Sequence, residues 1–595
     1  MYNSYRNQCS TEYLSGGFGE NESPKVINVL CAVYYNMRRT NESSGEGNGV
    51  TRRKMLTYAG ATGLAVTVAG CAGEEPEEGI DDDSGNGTGN GNGNGNGDGS
   101  DDDSSLVYAT TIAPSTIDPM QVSDNFENIY AVNVYDSLMM YSDDTPPELV
   151  DGLVVEWDVA DDDQTYEFTL RDDATFHNGD PVTADDVVYS ITRMMEMQMG
   201  MSWMWAGTMS PDGVSAIDET TVEIETDRTF APFIFTLPYH PIVNEAEVEA
   251  NDEDWLQDND AGSGPYQLVE HVRNERLVLE RNEDWWGEWP DGGDPFDEVV
   301  MEIVPEEGTI NGMMGSQEAD ITDEWLSLQT YEEIGSMDHA SVSDEVTFSP
   351  LYVFMHNQRE PLDDVNVRKA ISYAVDYETI VDDILEGNAE RLQGPLPDAM
   401  WGHNSDVTLY DRDLDQAQAY LDESPYDGED IELTYTYVSG LTVTENIGLL
   451  MQTNLAELGI TLELEGAPWT RITDMVTDPE STSDMHAIYL SFSYVDPDTF
   501  LYPAWHSDSH GSWESASWYQ NEAVDQLLDD ARTEIDQDAR IEMYEEVQEL
   551  MTEDAPALFV VNEAELYGIN NRVGGYVDNG LVGYSKAFWR LYNQG

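Results

Sequence analysis

A strand–helix–strand unit in the second half of the chain constrains the fold more than any other feature. Residues 431–438 alternate as a strand does, residues 443–458 carry apolar side chains at helical spacing, and residues 460–464 form a second strand. Gly459 ends the helix, because glycine adopts the left-handed conformation that closes a helix without steric cost. Short links around a helix make the two strands parallel neighbours. The sequence therefore predicts an α/β fold with a partly parallel sheet.

Further segments predict more strands and helices on either side of this unit. Apolar and polar residues alternate, as they do in half-buried strands, over residues 164–171, 221–226, 276–280 and 297–304. Apolar residues at helical spacing follow Asp364, a predicted N-cap, and recur over residues 524–531 and 541–550. Residues 557–561 are apolar without alternation, which is typical of a fully buried strand. A chain of 595 residues is too long for one core, so two or more lobes are expected.

The acidic charge of the chain is concentrated in its folded part. Residues 1–103 carry only 16 of the 120 acidic and seven of the 24 basic side chains, which leaves 104 acidic and 17 basic ones on residues 104–595. Such a surface repels itself at low ionic strength, but at molar salt the Debye length falls to about 3 Å. Only four of the basic residues are lysine. The composition predicts adaptation to high salt and excludes nucleic acid as a partner, because a phosphate backbone binds cationic surfaces.

Residues 51–71 have the layout of an export signal. Arg52 and Arg53 precede an apolar stretch over residues 55–69, and small residues lead to Cys71. That stretch is shorter than the roughly 20 apolar residues that span a bilayer. The paired arginines resemble a twin-arginine signal, and residues 68–71 resemble a bacterial-type lipobox whose cysteine carries the lipid. The alternative is a chance arginine pair beside a short buried helix, but three features in the right order favour the signal.

The segments on either side of this signal are expected to lie outside the folded part. Nothing in residues 1–50 indicates structure, and a signal belongs near the start of a chain, so we interpret them as a misassigned extension and predict translation from Met37 or a nearby codon. Cys9 and Cys31 would then be absent from the protein, and no cysteine follows Cys71. Residues 72–105 are acidic and rich in glycine and asparagine, which predicts a disordered tether.

Several separated motifs after the tether resemble one protein family. They occupy residues 147–157, 166–171, 176–190, 262–266, 279–286, 364–376 and 496–497. In this order they resemble the extracellular solute-binding proteins of family 5, which are the peptide and nickel receptors of ABC importers. The resemblance covers roughly residues 106–590. Together with the acidic composition and the lipobox, it indicates a haloarchaeal-type lipoprotein.

The resemblance implies an α/β, periplasmic-binding-protein-like fold of two lobes, with a discontinuous first lobe and an inserted subdomain. The first lobe is expected at residues 106–147, 260–355 and 558–595, the inserted subdomain at 148–259, and the second lobe at 356–557. The chain is expected to cross between the lobes near residues 350–360 and 555–562. Ligand binding would close the lobes about these crossings, as in other hinged binding proteins.

The binding residues of the family are carried over position by position. A tryptophan follows the strand–helix–strand unit in peptide-binding members, and here it is Trp469, for which an ordinary core position is an equal alternative. Those members hold the peptide's amino group with an aspartate three residues before a late Asp-Pro pair, and here that residue is Ser493. A neutral serine cannot pair with an ammonium group unless a nearby carboxylate such as Asp496 takes over. Ser493 therefore leaves the ligand class open, and Tyr494 beside it is a further predicted contact.

Other residues that carry chemistry have competing interpretations. Trp203, Trp205 and Trp401 could stack on a solute or fill cores, and both stay open. His506 and His510 are spaced to share a helical face and hold a metal, but their serine-rich surroundings favour a loop, so neither a metal site nor a cofactor is predicted. The chain lacks His-Glu-x-x-His, Gly-x-Ser-x-Gly and a glycine-rich phosphate loop. The sequence therefore favours binding over catalysis.

These features together predict a lipid-anchored receptor on the extracellular face of the cell membrane. It would capture a small solute, a peptide first, and deliver it to the permease subunits of an ABC importer. Its predicted partners are that solute, the permease and the membrane through the lipid on Cys71, and the chain is expected to be a monomer. A non-peptide solute such as an oligosaccharide or a metal chelate stays open, as does a surface sensing or interaction protein on the same fold.

Overall fold

A computed structural model describes residues 104–595, apart from 123, 145–146, 253, 291, 344–345, 427–429, 491–492, 578–579 and 582. Several sequence predictions fall outside the described residues and stay predictions: the start at Met37, the export residues Arg52 and Arg53, the lipidated Cys71 and the tether as far as residue 103. The last residue expected in the tether, Ser105, is the first residue of a strand. No helix in the described part of the chain is both long and apolar enough to cross a membrane.

Strands occur along the whole of the described part of the chain. In chain order they are β1 (Ser105–Thr110), β2 (Met139–Tyr141), β3 (Leu149–Asp151), β4 (Val154–Val159), β5 (Thr165–Leu170), β6 (Met209–Ala216), β7 (Thr221–Thr226), β8 (Tyr266–Val272), β9 (Arg276–Arg281), β10 (Asp294–Pro295), β11 (Glu298–Ile303), β12 (Ile321–Thr322), β13 (Ala340–Ser343), β14 (Val346–Met355), β15 (Ala389–Arg391), β16 (Glu432–Val438), β17 (Thr461–Ala467), β18 (Met485–Tyr489), β19 (Ala557–Ala564), β20 (Tyr567–Asn570), β21 (Val573–Gly574) and β22 (Tyr592–Asn593).

Helices pack between and around these strands. In chain order they are α1 (Asn125–Val134), α2 (Ala184–Met197), α3 (Phe233–Thr236), α4 (Glu245–Glu249), α5 (Glu307–Ser316), α6 (Leu328–Gly335), α7 (Val365–Ala374), α8 (Tyr377–Thr379), α9 (Leu414–Glu423), α10 (Thr442–Ala456), α11 (Trp469–Met475), α12 (Asp498–Trp505), α13 (Glu522–Thr533) and α14 (Gln537–Asp554). Short 3₁₀ turns include Gly200–Trp205, Ser507–Ser509 and Trp513–Ser515.

The first lobe is built on a seven-stranded sheet in the order β13-β20-β12-β1-β11-β9-β8. β1 runs parallel to both β11 and β12, and the remaining pairs are antiparallel. Leu106 and Tyr108 on β1 are fully buried, because this strand has a neighbour on each side. A separate antiparallel sheet, in the order β4-β5-β7-β6, lies within residues 154–226 and confirms the predicted strands there.

The second lobe is built on a six-stranded sheet in the order β15-β19-β14-β18-β16-β17. β16 and β17 pair in parallel from Glu432 opposite Thr461 to Val438 opposite Ala467, with α10 between them in the chain. Gly459 follows the helix with a φ of +79°, the left-handed conformation that glycine adopts freely. The predicted strand–helix–strand unit is therefore confirmed.

The connections between the two sheets lie outside the positions expected for them. β14 and β19 pair with each other at both ends of an irregularity between Val346 and Pro350, and β14 also pairs with β18, so both strands belong to the second sheet. The chain therefore passes between the sheets after β13 and after β19, not at 350–360 and 555–562. The expected lobe boundaries at 355 and 557 cut within or beside paired strands, where a break would sacrifice ladder hydrogen bonds.

Two helix caps are present in the structure, and the one at Asp364 confirms a prediction from the sequence. The carboxylate of Asp364 accepts a hydrogen bond of 2.9 Å from the backbone N–H of Asn366, which fixes the start of α7. The hydroxyl of Thr183 donates to the Asp186 carboxylate over 2.6 Å, and the backbone N–H of Thr183 donates to the same oxygen over 3.0 Å. These short-range polar patterns set where α2 and α7 begin.

Candidate functional site

In each sheet the parallel strands end at one edge. The chain passes from one sheet to the other at these two edges. In the second sheet β16, β17 and β18 run in one direction, so their carboxyl ends lie at one edge. β19 runs the same way, because β14 is antiparallel to both β18 and β19, and the chain leaves this edge for β20. In the first sheet β1, β11, β12 and β13 likewise end at the edge that leads to β14. Open sheets bind ligands outside the carboxyl ends of such strands, which makes these edges the candidate site.

Trp469 lies at this edge of the second lobe, two residues after the end of β17. It is the first residue of α11 and 40% of it is exposed, whereas a core tryptophan is almost fully buried. Its ring meets that of Trp513 edge to face, with centroids 5.3 Å apart. Edge-to-face contact is a favourable arrangement for two aromatic rings, and part of Trp469 stays accessible.

The predicted contacts at Ser493, Tyr494 and Asp496 lie in the loop after β18 but differ in accessibility. Ser493 is half-buried, and its backbone N–H donates to the Thr499 hydroxyl over 3.1 Å. Tyr494 is buried, and its hydroxyl donates to the Asp498 carboxylate over 2.7 Å. Of the three, only Ser493 presents a partly exposed surface, so the contact expected at Tyr494 is not available.

Asp496 is occupied by an internal partner and cannot replace the missing carboxylate at position 493. The guanidinium of Arg540 contacts both of its oxygens at 2.7 Å, and the backbone N–H of Asp498 donates to Oδ1 over 2.9 Å. Burial raises the pKa of the Asp496 carboxyl, and the charge of Arg540 opposes that rise. The expected ligand role of Asp496 is therefore corrected to that of a buried ion-pair partner.

The predicted tryptophans separate into core and surface positions. Trp205 has no exposed surface, stacks on His240 at 3.4 Å between ring centroids, and donates from Nε1 to Thr236 over 2.8 Å. It is a core residue, which is one of the two roles left open for it by the sequence. Trp203, on the same 3₁₀ turn, is 55% exposed, and its role stays a prediction. Trp401 is half-buried and donates from Nε1 to the Val495 carbonyl over 2.9 Å.

Trp401 also contacts an element from the first half of the chain. Its ring lies 6.0 Å from that of Phe235 on α3, which follows the four-stranded sheet. Close by, the backbone N–H of Val495 donates to the Tyr141 hydroxyl over 3.2 Å. The loop that carries Ser493 is therefore held against β2 by a hydrogen bond, and Trp401 beside it contacts α3 through an aromatic ring.

His506 and His510 lie on either side of a short turn and contact different groups. The residues between them form a 3₁₀ turn, the His506 ring stacks on Tyr502 at 4.2 Å, and a ring nitrogen of His510 lies 2.7 Å from the Tyr519 carbonyl. Among the residues that the structure describes, no group of three or more histidine, cysteine or acidic side chains is arranged to hold a metal ion.

Two residues at the edge of the first sheet were missed from the sequence. Glu324 and Trp325 follow β12, and Trp325 is 62% exposed, the largest exposed fraction among the tryptophans described as exposed. Asn125 donates to Glu324 over 2.6 Å, and burial raises the pKa of this carboxyl to about 7, against an attraction from Lys586. β12 has only two residues, which is too short for an apolar–polar alternation to predict a strand from the sequence. The parallel pairing of β1 and β12 in the structure is what places Glu324 and Trp325 at this edge.

A family comparison agrees with this arrangement. The model described as "Bacterial extracellular solute-binding proteins, family 5 Middle" matches residues 148–512, more than half of the chain. The chain belongs to this family. The resemblance stated from its motifs is thereby confirmed, and the protein is a solute-binding protein of family 5.

Relatives of this family 5 protein include binding proteins for different solutes. It is 29% identical to the protein named "Probable D,D-dipeptide-binding periplasmic protein DdpA" of Escherichia coli over 70% of this chain and 81% of that one. It is 23% identical to "Heme-binding protein A" of Haemophilus influenzae over 70% of this chain and 80% of that one. The names of these relatives describe binding proteins and span more than one class of ligand.

Solved structures share the two-lobed fold. HbpA2 from Haemophilus parasuis superposes with a TM-score of 0.74 at 22% identity, covering 82% of this chain and 100% of that one. The unliganded open form of the periplasmic murein tripeptide binding protein MppA superposes with a TM-score of 0.72 at 22% identity, covering 82% and 97%. The predicted two-lobed, periplasmic-binding-protein-like fold is therefore confirmed.

Proposed function

We propose that this protein is an exported, lipid-anchored receptor that binds a small solute between its two lobes and passes it to the permease of an ABC-type importer. The observation that carries the proposal is the alignment of parallel strand ends in both sheets at the edges joined by the two crossings. A solute at such edges contacts both lobes at once, so its binding favours the closed arrangement over the open one. A permease that recognises the closed form then distinguishes the loaded receptor from the empty one.

Peptides are the first class of solute to test, because several relatives are named as peptide-binding proteins. Ser493 argues for a different contact with the ligand, because a hydroxyl offers no charge to a peptide's ammonium group. An oligosaccharide or a metal chelate is the alternative, and it is favoured by the accessible ring of Trp469 and by the range of ligands named among the relatives.

A thermal unfolding screen at molar salt tests the binding function. Peptides of two to about eight residues, sugars and chelated metals are added separately, and a solute that binds only the folded state raises the unfolding midpoint by mass action. A rise with one class identifies it. If no peptide raises the midpoint while another class does, the peptide hypothesis is wrong, and if no class raises it, the receptor function is wrong.

Two further experiments test the anchor and the importer. Replacing Cys71 with serine should release the protein from the membrane fraction into the medium, because stable attachment depends on acyl chains at that residue. Genes for two permeases and two ATPases beside this gene would support delivery to an importer. If those genes are absent and the membrane-bound protein keeps its solute, a surface sensing protein is favoured instead.

A further inference from the structure

The turn Trp513–Ser515 in the second lobe carries polar groups that have no partner. The hydroxyl oxygens of Ser512 and Ser515 are buried, and neither has a hydrogen-bond partner within the described part of the chain. Between them the carboxylate of Glu514 is half-buried and makes no hydrogen bond or ion pair with any described residue. Buried polar groups are nearly always paired, so two unpaired buried hydroxyls on either side of a half-buried, unpaired carboxylate indicate a missing partner.

This turn lies next to the candidate site. Trp513 contacts Trp469, the residue that follows β17 at the carboxyl edge of the second sheet. On its other side the turn packs against α12, the helix that begins just after the loop of Ser493 to Asp496. Glu514 therefore lies in the turn beside Trp469, on the second-lobe side of the candidate site.

Glu514 differs from three other carboxylates that are shielded from water near this edge, because each of those three has a partner. Asp496 is paired with Arg540, Asp498 is paired with Arg532 at 2.6 Å, and Glu563 accepts a hydrogen bond from the Tyr489 hydroxyl. Burial alone raises the pKa of Glu514 to about 7, with no contribution from a charged or hydrogen-bonding group. A protein with this excess of acid has many unpaired carboxylates, but they are expected in water, where the charge costs little.

We propose that Glu514 is the residue that binds a positively charged group of the solute, an ammonium or a guanidinium, in place of the carboxylate that is missing at position 493. The inference rests on the proposed receptor function. The hydroxyls of Ser512 and Ser515 supply further hydrogen bonds to the same solute, and the rings of Trp469 and Trp513 provide faces over which a cation is attracted. The solute class that fits is a small organic cation or a zwitterion with an exposed ammonium group.

Pairs of probes that differ in one charge test this assignment. The first pair is trialanine and N-acetyl-trialanine, and the second is putrescine and 1,4-butanediol. Affinity is measured by calorimetry at molar salt for the wild-type protein and for Glu514→Gln, which keeps the shape of the side chain and removes its charge. Glu480→Gln is the matched control, because Glu480 is an exposed carboxylate between Trp469 and Trp513 in the chain.

The wild-type protein should bind at least one cationic probe more tightly than its neutral analogue. Glu514→Gln should weaken binding of that cation by about tenfold or more and leave the neutral analogue unchanged, because a buried charge-assisted hydrogen bond is lost. Glu480→Gln should behave as the wild type. In the absence of solute, Glu514→Gln should unfold at a higher temperature than the wild type, which shows that the variant is folded.

Failure of this inference is distinguishable from failure of the receptor function. If sugars, anions or neutral probes bind while cations do not, or if Glu514→Gln binds a cation as tightly as the wild type, the role of Glu514 is wrong and the receptor function stands. If no solute of any class binds, both are wrong. Ser515→Ala provides a second variant, and it should weaken the same cationic probe by a smaller factor without changing the preference for charge.

Discussion

Arg540 and Asp496 form an ion pair that is almost fully buried, with 2% and 0% of the two side chains exposed. Arg540 projects from α14 and Asp496 lies in the loop before α12, so the pair fixes the loop that carries Ser493 against a long helix. Tyr544 and Trp401 surround the guanidinium, with its carbon 5.2 Å from the Trp401 ring. The pair holds the second-lobe side of the candidate site in place and gives the Asp496 carboxylate an internal partner.

Replacing Asp496 with asparagine should lower the free energy of unfolding by about 3–5 kcal/mol, because the guanidinium of Arg540 would stay buried without a counter-charge. Chemical denaturation at fixed molar salt measures the change. The control is Asp258→Asn, which breaks the pair with Arg273, where 54% and 63% of the side chains are exposed. Such an exposed pair contributes about 0–1 kcal/mol. Equal effects of the two substitutions would contradict the structural role of the buried pair.

Trp469 and Trp205 should respond in opposite ways to replacement by alanine. Trp205→Ala should destabilise the protein by about 3–5 kcal/mol, because it empties a packed core. Trp469→Ala should change stability by less than about 1 kcal/mol, since the ring is 40% exposed, but should weaken solute binding by about tenfold. Unfolding curves and titration of a solute found by the screen measure both effects. Unchanged binding after Trp469→Ala would remove Trp469 from the site.

Short-range patterns predicted much of the fold, but the site depends on contacts that no local pattern contains. The periodicity of residues 431–464 was sufficient for β16, α10 and β17, because alternation and helical spacing are set by neighbours in the chain. β14 and β19 lie some two hundred residues apart, so their pairing, and with it the true crossings, could not be deduced from periodicity. Asp496 had the right residue type and position for a ligand contact, and only the structure shows that Arg540 occupies it. Glu514 lies in a serine-rich loop without periodicity, where burial is invisible to the sequence.

Glu324 should make stability depend on pH. Burial raises its pKa from 4.5 to about 7, so the folded state holds the proton more tightly than the unfolded chain. The stabilisation by this proton is fully present below the unfolded pKa and is lost as the pH rises through about 7. Glu324→Gln should therefore reduce the difference in the free energy of unfolding between about pH 5 and about pH 8 by an amount on the order of 1 kcal/mol. Denaturation at each pH measures it, with the exposed Glu318→Gln as the control.

The acidic surface should make the folded state dependent on salt. With 104 acidic and 17 basic residues on residues 104–595, lowering the salt concentration should lower the unfolding temperature, because repulsion between carboxylates is no longer screened. Replacing Glu545, Glu546 and Glu549 on the exposed face of α14 with glutamine should reduce the salt needed to reach a given unfolding temperature. Calorimetric scans across a range of salt concentrations measure this. An unfolding temperature independent of salt would contradict the predicted adaptation.

Binding of a cationic solute should strengthen as the pH rises, if Glu514 is its partner. The pKa of about 7 means that the empty site is largely protonated below neutral pH, and a cation must displace that proton. Affinity should therefore rise by about tenfold per pH unit below the pKa and level off above it. Other titratable groups near the turn are those on α11, α12 and the following loop: Arg471 (paired with Glu465), the exposed Asp474, Asp498 (paired with Arg532), Tyr502 and His506 (stacked on each other), Asp508 and His510.

The matched variant isolates Glu514 from these groups. In Glu514→Gln the affinity for the cation should be low and nearly independent of pH between about 5 and 8, because no proton is displaced from position 514. Calorimetry in two buffers of different ionisation enthalpy should show the release of a fraction of a proton on binding to the wild-type protein and none with the variant. A pH profile that is the same in both proteins would contradict the role of Glu514 in binding the cation.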